Sequence, residues 1–189
     1  FTLKNLFFVV FGLAALSTSA QVLNTRYGTS AYPSFTGAGN SAFGGHALFS
    51  NNNGNYNTAI GAGSMYRNTS GSNNTAVGRW SLFSNTSGLN NTSLGSMSMY
   101  LNTAGVENTA VGMNTLNQNS WGSYNTAIGM NSLRGNSSGL FNTAIGAYSL
   151  NTNTSGGSNT SSGTYSMYSN ISGAENVASG MYALYRNTG

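Results

Sequence analysis

Few side chains in this sequence could perform acid–base or metal chemistry. It contains two carboxylates, Glu107 and Glu175, a single histidine, His46, and no cysteine. The lack of cysteine excludes a disulfide framework, a zinc–thiolate site and a thiol nucleophile. Because most enzymes need an acid, a base or a cluster of metal ligands, we expect neither catalytic activity nor a cofactor.

The charged residues are equally sparse. Only 4% of the 189 residues are charged, and the net charge of +4 comes from six Lys and Arg residues that form no run. A protein that follows a phosphate backbone needs a clustered basic surface, so we expect no nucleic-acid partner. His46 is more typical of a tolerated surface residue than of a metal ligand.

A tandem repeat of 17 residues organises the chain from residue 40 onward. Asparagine recurs without insertion at Asn40, Asn57, Asn74, Asn91, Asn108, Asn125, Asn142, Asn159 and Asn176. We number the repeat positions 1 to 17 from this residue. Position 5 is always glycine and position 12 always asparagine, position 15 is glycine wherever a copy reaches it, and position 9 is Leu or Met. This invariance within one chain indicates stacked structural units.

Two parts of the repeat have recognisable local signatures. Positions 1–5, which read Asn57-Thr58-Ala59-Ile60-Gly61 in the second copy, predict a short strand. Positions 12–15, which read Asn-Thr-Ser-Gly in the clearest copies, predict a turn. Positions 6–11 favour a second strand or an irregular extended segment over a single helical turn. The Ile or Val at position 4 and the Leu or Met at position 9 are the expected core.

One such repeat cannot bury its own apolar stripe, so the copies must stack. The predicted fold class is therefore all-β, a parallel β-solenoid or β-roll with one turn per 17-residue repeat. Stacking aligns the asparagines of positions 1 and 12 into amide ladders. It also places Glu107 and Glu175 four turns apart, roughly 19 Å at about 4.8 Å per turn, which is too far for the carboxylate pair of a glycosidase.

The Asn-Thr-Ala-Ile-Gly and Asn-Thr-Ala-Val-Gly runs resemble the repeat motif of YadA-like heads of trimeric autotransporter adhesins. The unit is also similar to repeats of bacterial surface proteins and phage tail-fibre-like proteins. The resemblance covers residues 40–189. It implies a left-handed parallel β-roll, trimerisation and adhesion. The repeat here is longer than the autotransporter unit.

The segment before the repeats predicts a leader and a cap. Residues 1–20 have a charged start, an apolar run and a small-residue end, as in a secretory signal peptide. The alternative is a retained hydrophobic assembly segment, because the first residues also resemble the mature start of type IV pilins. The apolar run is too short to cross a bilayer. Residues 21–39 keep fragments of the repeat and predict an atypical N-terminal cap.

Two sets of residues are candidates for surface contacts. Position 10 is aromatic in most copies, and an exposed aromatic column can stack on sugars or meet a partner chain, though it can also thicken a thin core. The candidates for such contacts are Tyr66, Phe83, Tyr100, Tyr168 and Tyr185. Sequons for glycosylation occur at Asn68, Asn73, Asn85, Asn90, Asn91, Asn136, Asn153, Asn159 and Asn170, although an Asn-Thr-Ser repeat creates sequons automatically.

Together these features predict a secreted structural repeat protein at the cell surface or outside the cell. The repeat pattern continues to the last residue, which predicts an end that receives another copy head to tail and so builds an extracellular fibre or adhesive rod. The chain itself is then the main partner, in a homo-oligomer or filament. The alternative is an adhesin module that binds carbohydrate or a host surface through the position-10 aromatic column.

Overall fold

A computed structural model describes residues 24–31 and 36–189. The predicted leader and part of the predicted cap, at residues 21–23 and 32–35, lie outside the described residues. The described chain forms ten strands of three residues each and no helix. The strands are β1 (Thr25–Tyr27), β2 (Ser41–Phe43), β3 (Thr58–Ile60), β4 (Thr75–Val77), β5 (Thr92–Leu94), β6 (Thr109–Val111), β7 (Thr126–Ile128), β8 (Thr143–Ile145), β9 (Thr160–Ser162) and β10 (Val177–Ser179).

The strands form one parallel sheet in sequence order, from β1 to β10. Each strand pairs with the next in the register of the repeat, so that Thr58 lies opposite Thr75 and Ala59 opposite Ala76. Between β1 and β2 the offset is one residue shorter, with Thr25 opposite Ser41. The chain is thus a β-solenoid with one turn per repeat, which confirms the predicted fold class. At about 4.8 Å per strand the stack is on the order of 40 Å long.

The strand places position 3 inside and position 4 outside, opposite to the core expected from the sequence. Ala59, Ala76 and their equivalents are fully buried, whereas the side chains of Ile60 and Ile128 are about two-fifths exposed. Successive side chains of a strand point to opposite faces. Because the narrow interior admits only a small residue at position 3, the β-branched residue at position 4 lies on the outer face of the sheet.

The interior of each turn contains one large apolar side chain, at position 9. Leu82, Met99 and Leu116 are fully buried, and each packs against the alanine column of position 3. The remaining interior side chains are polar, chiefly the asparagines of positions 1 and 12 and a serine at position 8. Ser64 Oγ donates to the carbonyl of Ala76 in the next turn at 3.1 Å. The core is therefore a column of large apolar side chains packed against a column of small ones, chiefly alanine, and flanked by polar columns.

Positions 6–11 form tight turns, so the expected second strand is absent from the described residues. In every repeat except that of Thr115, the residue at position 8 donates its N–H to the carbonyl of the position-5 glycine, as from Ser81 to Gly78 at 3.3 Å. In all nine repeats the N–H of position 12 donates to the carbonyl of position 9, as from Asn85 to Leu82 at 3.2 Å. The residues at positions 7 and 9 have positive φ, for example 58° at Trp80 and 49° at Leu82. These left-handed residues reverse the chain within a few residues, which an extended strand could not do.

The invariant glycine of position 5 is required both by its φ and by the stacking. Gly61 has φ of 128°, a region that side chains rarely adopt. A Cβ at this residue would lie 2.7 Å from the carbonyl carbon of Gly78 in the next turn. The invariance of this glycine along the chain therefore has two physical causes, the positive φ and the close approach of the next turn.

Two asparagine ladders run through the interior, as expected from the invariant columns. In the position-1 ladder, the amide of Asn91 donates to Asn74 Oδ1 at 3.1 Å and to the carbonyl of Gly105 at 2.8 Å. In the position-12 ladder, Asn119 Nδ2 donates to Asn102 Oδ1 at 2.7 Å. Each buried amide therefore satisfies its neighbours above and below, and the ladders fix the register of the turns.

Candidate functional site: aromatic columns on the rod

The position-10 residues form a ladder of parallel rings on the side of the rod. Phe49, Tyr66, Phe83 and Tyr100 stack in order, with ring centroids 5.0, 5.1 and 5.1 Å apart. All four side chains are half-buried. Because the inner rings have both faces against neighbours, they present mainly ring edges to solvent. Their role in sugar or partner binding stays a prediction.

A second aromatic cluster lies toward the C-terminal end of the rod. Tyr148, Tyr165 and Tyr182, all at position 7, stack with centroids 4.8 and 5.4 Å apart. Beside them Tyr168 and Tyr185 of position 10 stack at 5.3 Å. Two of the sequence-predicted contact residues thus belong to a group of five packed tyrosines.

The tyrosine cluster alters the ionisation of its central member. Partial desolvation, followed by the proximity of the four other tyrosines, raises the pKa of Tyr165 above the ordinary value of 10.0. Both causes disfavour the phenolate. Tyr165 therefore stays neutral to a higher pH than a lone exposed tyrosine does.

A notch interrupts the position-7 column toward the N-terminal end of the rod. Glycine occurs at position 7 only once, at Gly63, between His46 and Trp80. The notch is a cavity of about 220 Å³ lined by Gly45, His46, Ala62, Gly63, Tyr66, Trp80 and Phe83. Sequence reasoning missed it. The available signal was this lone glycine one repeat before a tryptophan.

Two arginines lie on the aromatic rings around the notch. The guanidinium carbon of Arg79 is 3.6 Å from the centroid of the Trp80 ring, and that of Arg67 is 5.6 Å from the centroid of Phe83. Both arginines are exposed. No acidic residue occurs in residues 40–106, so this region of the rod carries a local positive charge.

The predicted sequons differ sharply in exposure. Only Asn73 and Asn90, both at position 17, have exposed side chains. The other seven are fully buried members of the ladders, namely Asn68, Asn85, Asn91, Asn136, Asn153, Asn159 and Asn170. A glycan cannot be attached to a buried amide of the folded rod. Glycosylation therefore stays a prediction that only Asn73 and Asn90 could satisfy in the folded chain.

The other chemistry-bearing residues are dispersed. Glu107 and Glu175 are both exposed at position 17, separated by four turns in the strand register. His46 contacts the rings of Phe49 and Tyr66, with centroids 5.4 and 6.0 Å away. Across residues 24–31 and 36–189, no three His, Cys, Asp or Glu side chains come together as a metal site would require.

The outer face of the sheet is a further exposed surface. Its position-4 column includes Phe43, Ile60, Leu94, Ile128 and Ile145, each between 37% and 43% exposed. The threonines of position 2 flank this column. The face is therefore an uncharged strip along the rod.

Comparison with protein-family models, curated protein sequences and solved structures found no match. The resemblance to YadA-like heads therefore stays a sequence-based hypothesis. In the part of the chain that the structure describes, no helix has the length and apolar character that crossing a bilayer requires.

Proposed function

We propose that this chain is a secreted structural protein whose stacked turns form part of an extracellular fibre or adhesive rod. The observation that carries the proposal is the uniform interface between turns. From β2 to β10 every strand pairs with its successor in one register, and both asparagine ladders continue through the described repeats. An element built this way gains length and stiffness with each repeat.

The same uniformity supports assembly between copies. Any turn offers the groups that receive the next, because each position-1 asparagine accepts from its successor, as Asn142 Oδ1 does from Asn159 Nδ2 at 3.0 Å. In the turn that begins at Asn176, Val177 is 74% exposed, Met181 70% and Leu184 48%. A turn stacked on this one, from further repeats or from another copy, would cover Leu184, whose counterparts at position 9 of the preceding turns are fully buried, and part of the exposed surface of Val177 and Met181. Repeated between copies, such a head-to-tail contact yields a filament.

Secretion is part of the proposal and rests on the sequence. Residues 1–20 have the pattern of a signal peptide. N-terminal sequencing of exported protein tests this point and shows whether the segment is retained.

The assembly experiment compares two arginine substitutions. Leu184→Arg places a charge on the exposed face of the last turn, whereas Met113→Arg places one on the side of the rod, in the position that Arg79 occupies in its own repeat. We expect filaments by electron microscopy for the unchanged chain and for Met113→Arg, and their loss for Leu184→Arg. Monodisperse monomers of the unchanged chain at micromolar concentration would sink the fibre proposal.

A second candidate function is carbohydrate or host-surface binding by the rod. It is favoured by the half-buried ring ladder from Phe49 to Tyr100, since aromatic rings on a surface are common contact sites. Glycan-array binding that disappears in the double variant Tyr66→Ala, Tyr100→Ala would support it. If the protein forms filaments but binds no glycan, only the structural function is supported.

A further inference from the structure

The backbone does not explain why residue 63 is glycine. Position 7 has positive φ in every repeat, from 54° to 60° at the non-glycine residues and 65° at Gly63. Histidine, tryptophan, methionine, asparagine and tyrosine all occupy this position in other turns. Glycine is therefore not needed for the conformation.

Space explains the glycine instead. A Cβ on Gly63 would lie 2.6 Å from Cδ1 of Trp80, closer than real side chains approach. The indole of Trp80 therefore leans over the turn of Gly63, and the missing side chain leaves the notch beside it. Elsewhere in the position-7 column, Tyr148, Tyr165 and Tyr182 fill three consecutive turns with stacked rings. At residue 63 such a ring is absent.

The notch has the size of a subsite for one ring. Pockets that enclose a whole small ligand are roughly 300–1,000 Å³, whereas this one is about 220 Å³. A ligand that entered it would place one ring against Trp80 and continue along the rod surface. The bound ring should therefore be one part of a larger ligand.

The polar groups at the notch come from side chains. The N–H groups of His46, Gly63 and Trp80 already donate to carbonyls of the preceding turns, at 2.9, 2.9 and 3.0 Å. The imidazole of His46 and the hydroxyl of Tyr66 make no hydrogen bond to any residue in the described ranges. They remain available to a ligand.

The charge around the notch selects for an anion. Arg79 lies on one face of Trp80, and a stacked guanidinium keeps its in-plane N–H donors for a carboxylate. Arg67 lies on the adjacent ring of Phe83. Because residues 40–106 include no Asp or Glu, no carboxylate of this region competes with a ligand for the two guanidinium groups.

We propose that this notch binds one ring of an acidic saccharide, whose apolar C–H face stacks on Trp80 and whose carboxylate is bound by Arg79. His46 and Tyr66 then face the hydroxyl rim of the sugar. The inference rests on the carbohydrate-binding candidate above and places the site at the position-7 notch, whose wall includes Tyr66 and Phe83 of the position-10 ladder. It does not depend on filament formation.

The test uses tryptophan fluorescence of the full chain. The chain has two tryptophans, so the substitution Trp121→Ser leaves Trp80 as the only fluorescent reporter. Serine occurs at the same repeat position in another turn, at Ser87. The probe is a tetrasaccharide of galacturonic acid, with its fully methyl-esterified form as the uncharged control. We expect a saturable change with the acid and about tenfold weaker binding of the ester.

Substitutions borrowed from other repeats locate the site. Gly63→Tyr fills the notch with a ring in the way that Tyr165 fills its own turn, and should abolish binding. Trp80→Asn copies Asn114, removes the stacking ring and should abolish binding of the acid, measured by calorimetry because the reporter is lost. Arg79→Ser copies Ser96 and should weaken binding about tenfold. Arg134→Ser removes the same charge elsewhere on the rod and should leave the Kd unchanged.

Circular dichroism of each variant shows whether a loss of binding comes from a loss of fold. If Gly63→Tyr does not fold, Trp80→Asn still tests whether the notch is the binding site. Equal binding of acid and ester, unchanged binding in folded Gly63→Tyr or in Trp80→Asn, or no saturable change at all would overturn the proposal. So would tighter binding of an acidic peptide rich in aromatic residues, which would assign the notch to a protein partner. Electron microscopy of the same samples reports on assembly separately, so the failure of one proposal does not imply the failure of the other.

Discussion

The interior asparagines depend on a property that few side chains have. Asn119 donates to Asn102 Oδ1 at 2.7 Å and to the carbonyl of Gly122 at 2.8 Å, and accepts from Asn136 Nδ2 at 2.8 Å. Only a primary amide can donate twice and accept at once in this space. Aspartate lacks the donors, and leucine of similar size lacks both functions. This explains the invariance of the column without any ligand.

Asn119→Leu should therefore destabilise the rod strongly. It leaves Asn102 Oδ1 and Asn136 Nδ2 without their ladder partner in a buried site, at about 1–3 kcal/mol for each group. We expect the free energy of unfolding to fall by about 2–6 kcal/mol in urea titrations. Gln118→Ala, at the exposed neighbouring residue, should change it by less than about 0.5 kcal/mol. Equal effects of the two substitutions would show that the ladder does not stabilise the fold.

The raised pKa of Tyr165 predicts a loss of stability at alkaline pH. Unfolding releases the tyrosine to its ordinary pKa of 10.0. Above that pH the unfolded chain loses the proton while the folded chain keeps it, so stability falls as pH rises. Below it both states are protonated and the group has no effect. Thermal melts at increasing pH should show this decline, and Tyr165→Asn, which copies Asn131, should make it shallower.

The turns of positions 6–11 show where sequence reasoning ended. The period of 17 and the Asn-Thr-Ala-Ile-Gly run were sufficient to predict parallel strands and their register. They could not reveal that Leu82 or Met99 adopts positive φ, 49° and 47° respectively, because this conformation costs an isolated residue roughly 1–2 kcal/mol. Burial of a leucine or methionine side chain contributes about 1.5–3 kcal/mol, which offsets that cost only once the turns are stacked.

The strands show a related limit. A β-branched residue at position 4 indicates a strand but not which face is buried. The deciding fact is the width of the interior, which already holds two asparagines, a small residue that is usually serine, and one large apolar side chain per turn. Only alanine or serine fits at position 3, as at Ala76 and Ser93. The notch at Gly63 escaped prediction for a similar reason, since it depends on how the indole of Trp80 leans across the stack.

Position 5 allows the conformational and steric demands on a glycine to be separated. Gly112 and Gly180 both have positive φ, 133° and 115°. A Cβ on Gly112 would lie 2.8 Å from the carbonyl carbon of Gly129, whereas one on Gly180 meets nothing within 4 Å. Gly112→Ala should therefore cost strain and overpacking together, about 2–6 kcal/mol, and Gly180→Ala only the strain, about 1–3 kcal/mol. Denaturation curves of the two variants measure the difference, and equal losses would show that the close approach of the turns is unimportant.

Over the whole rod, stability is a sum of nearly identical interfaces between neighbouring turns. Each turn contacts only the turns before and after it, since each strand pairs only with its neighbours. A solenoid of this type tolerates the loss of a complete repeat because the two flanking turns present the same interface to each other. It does not tolerate the loss of part of a repeat, because every ladder beyond the deletion is then out of register.

Deleting residues 91–107 should therefore leave a folded rod that is one turn shorter. The deletion joins Asn90 to Asn108 and brings Asn74 into the place of Asn91 as the ladder partner of Asn108, with β4 beside β6. Deleting only residues 91–100 leaves a seven-residue remnant that cannot complete a turn, and should lower the thermal midpoint and expose the chain to protease. Circular dichroism, limited proteolysis and small-angle scattering compare the two, with an expected shortening of about 4.8 Å for the complete repeat. If both deletions were equally resistant to protease, the register of the stacked turns would not be what holds this rod together.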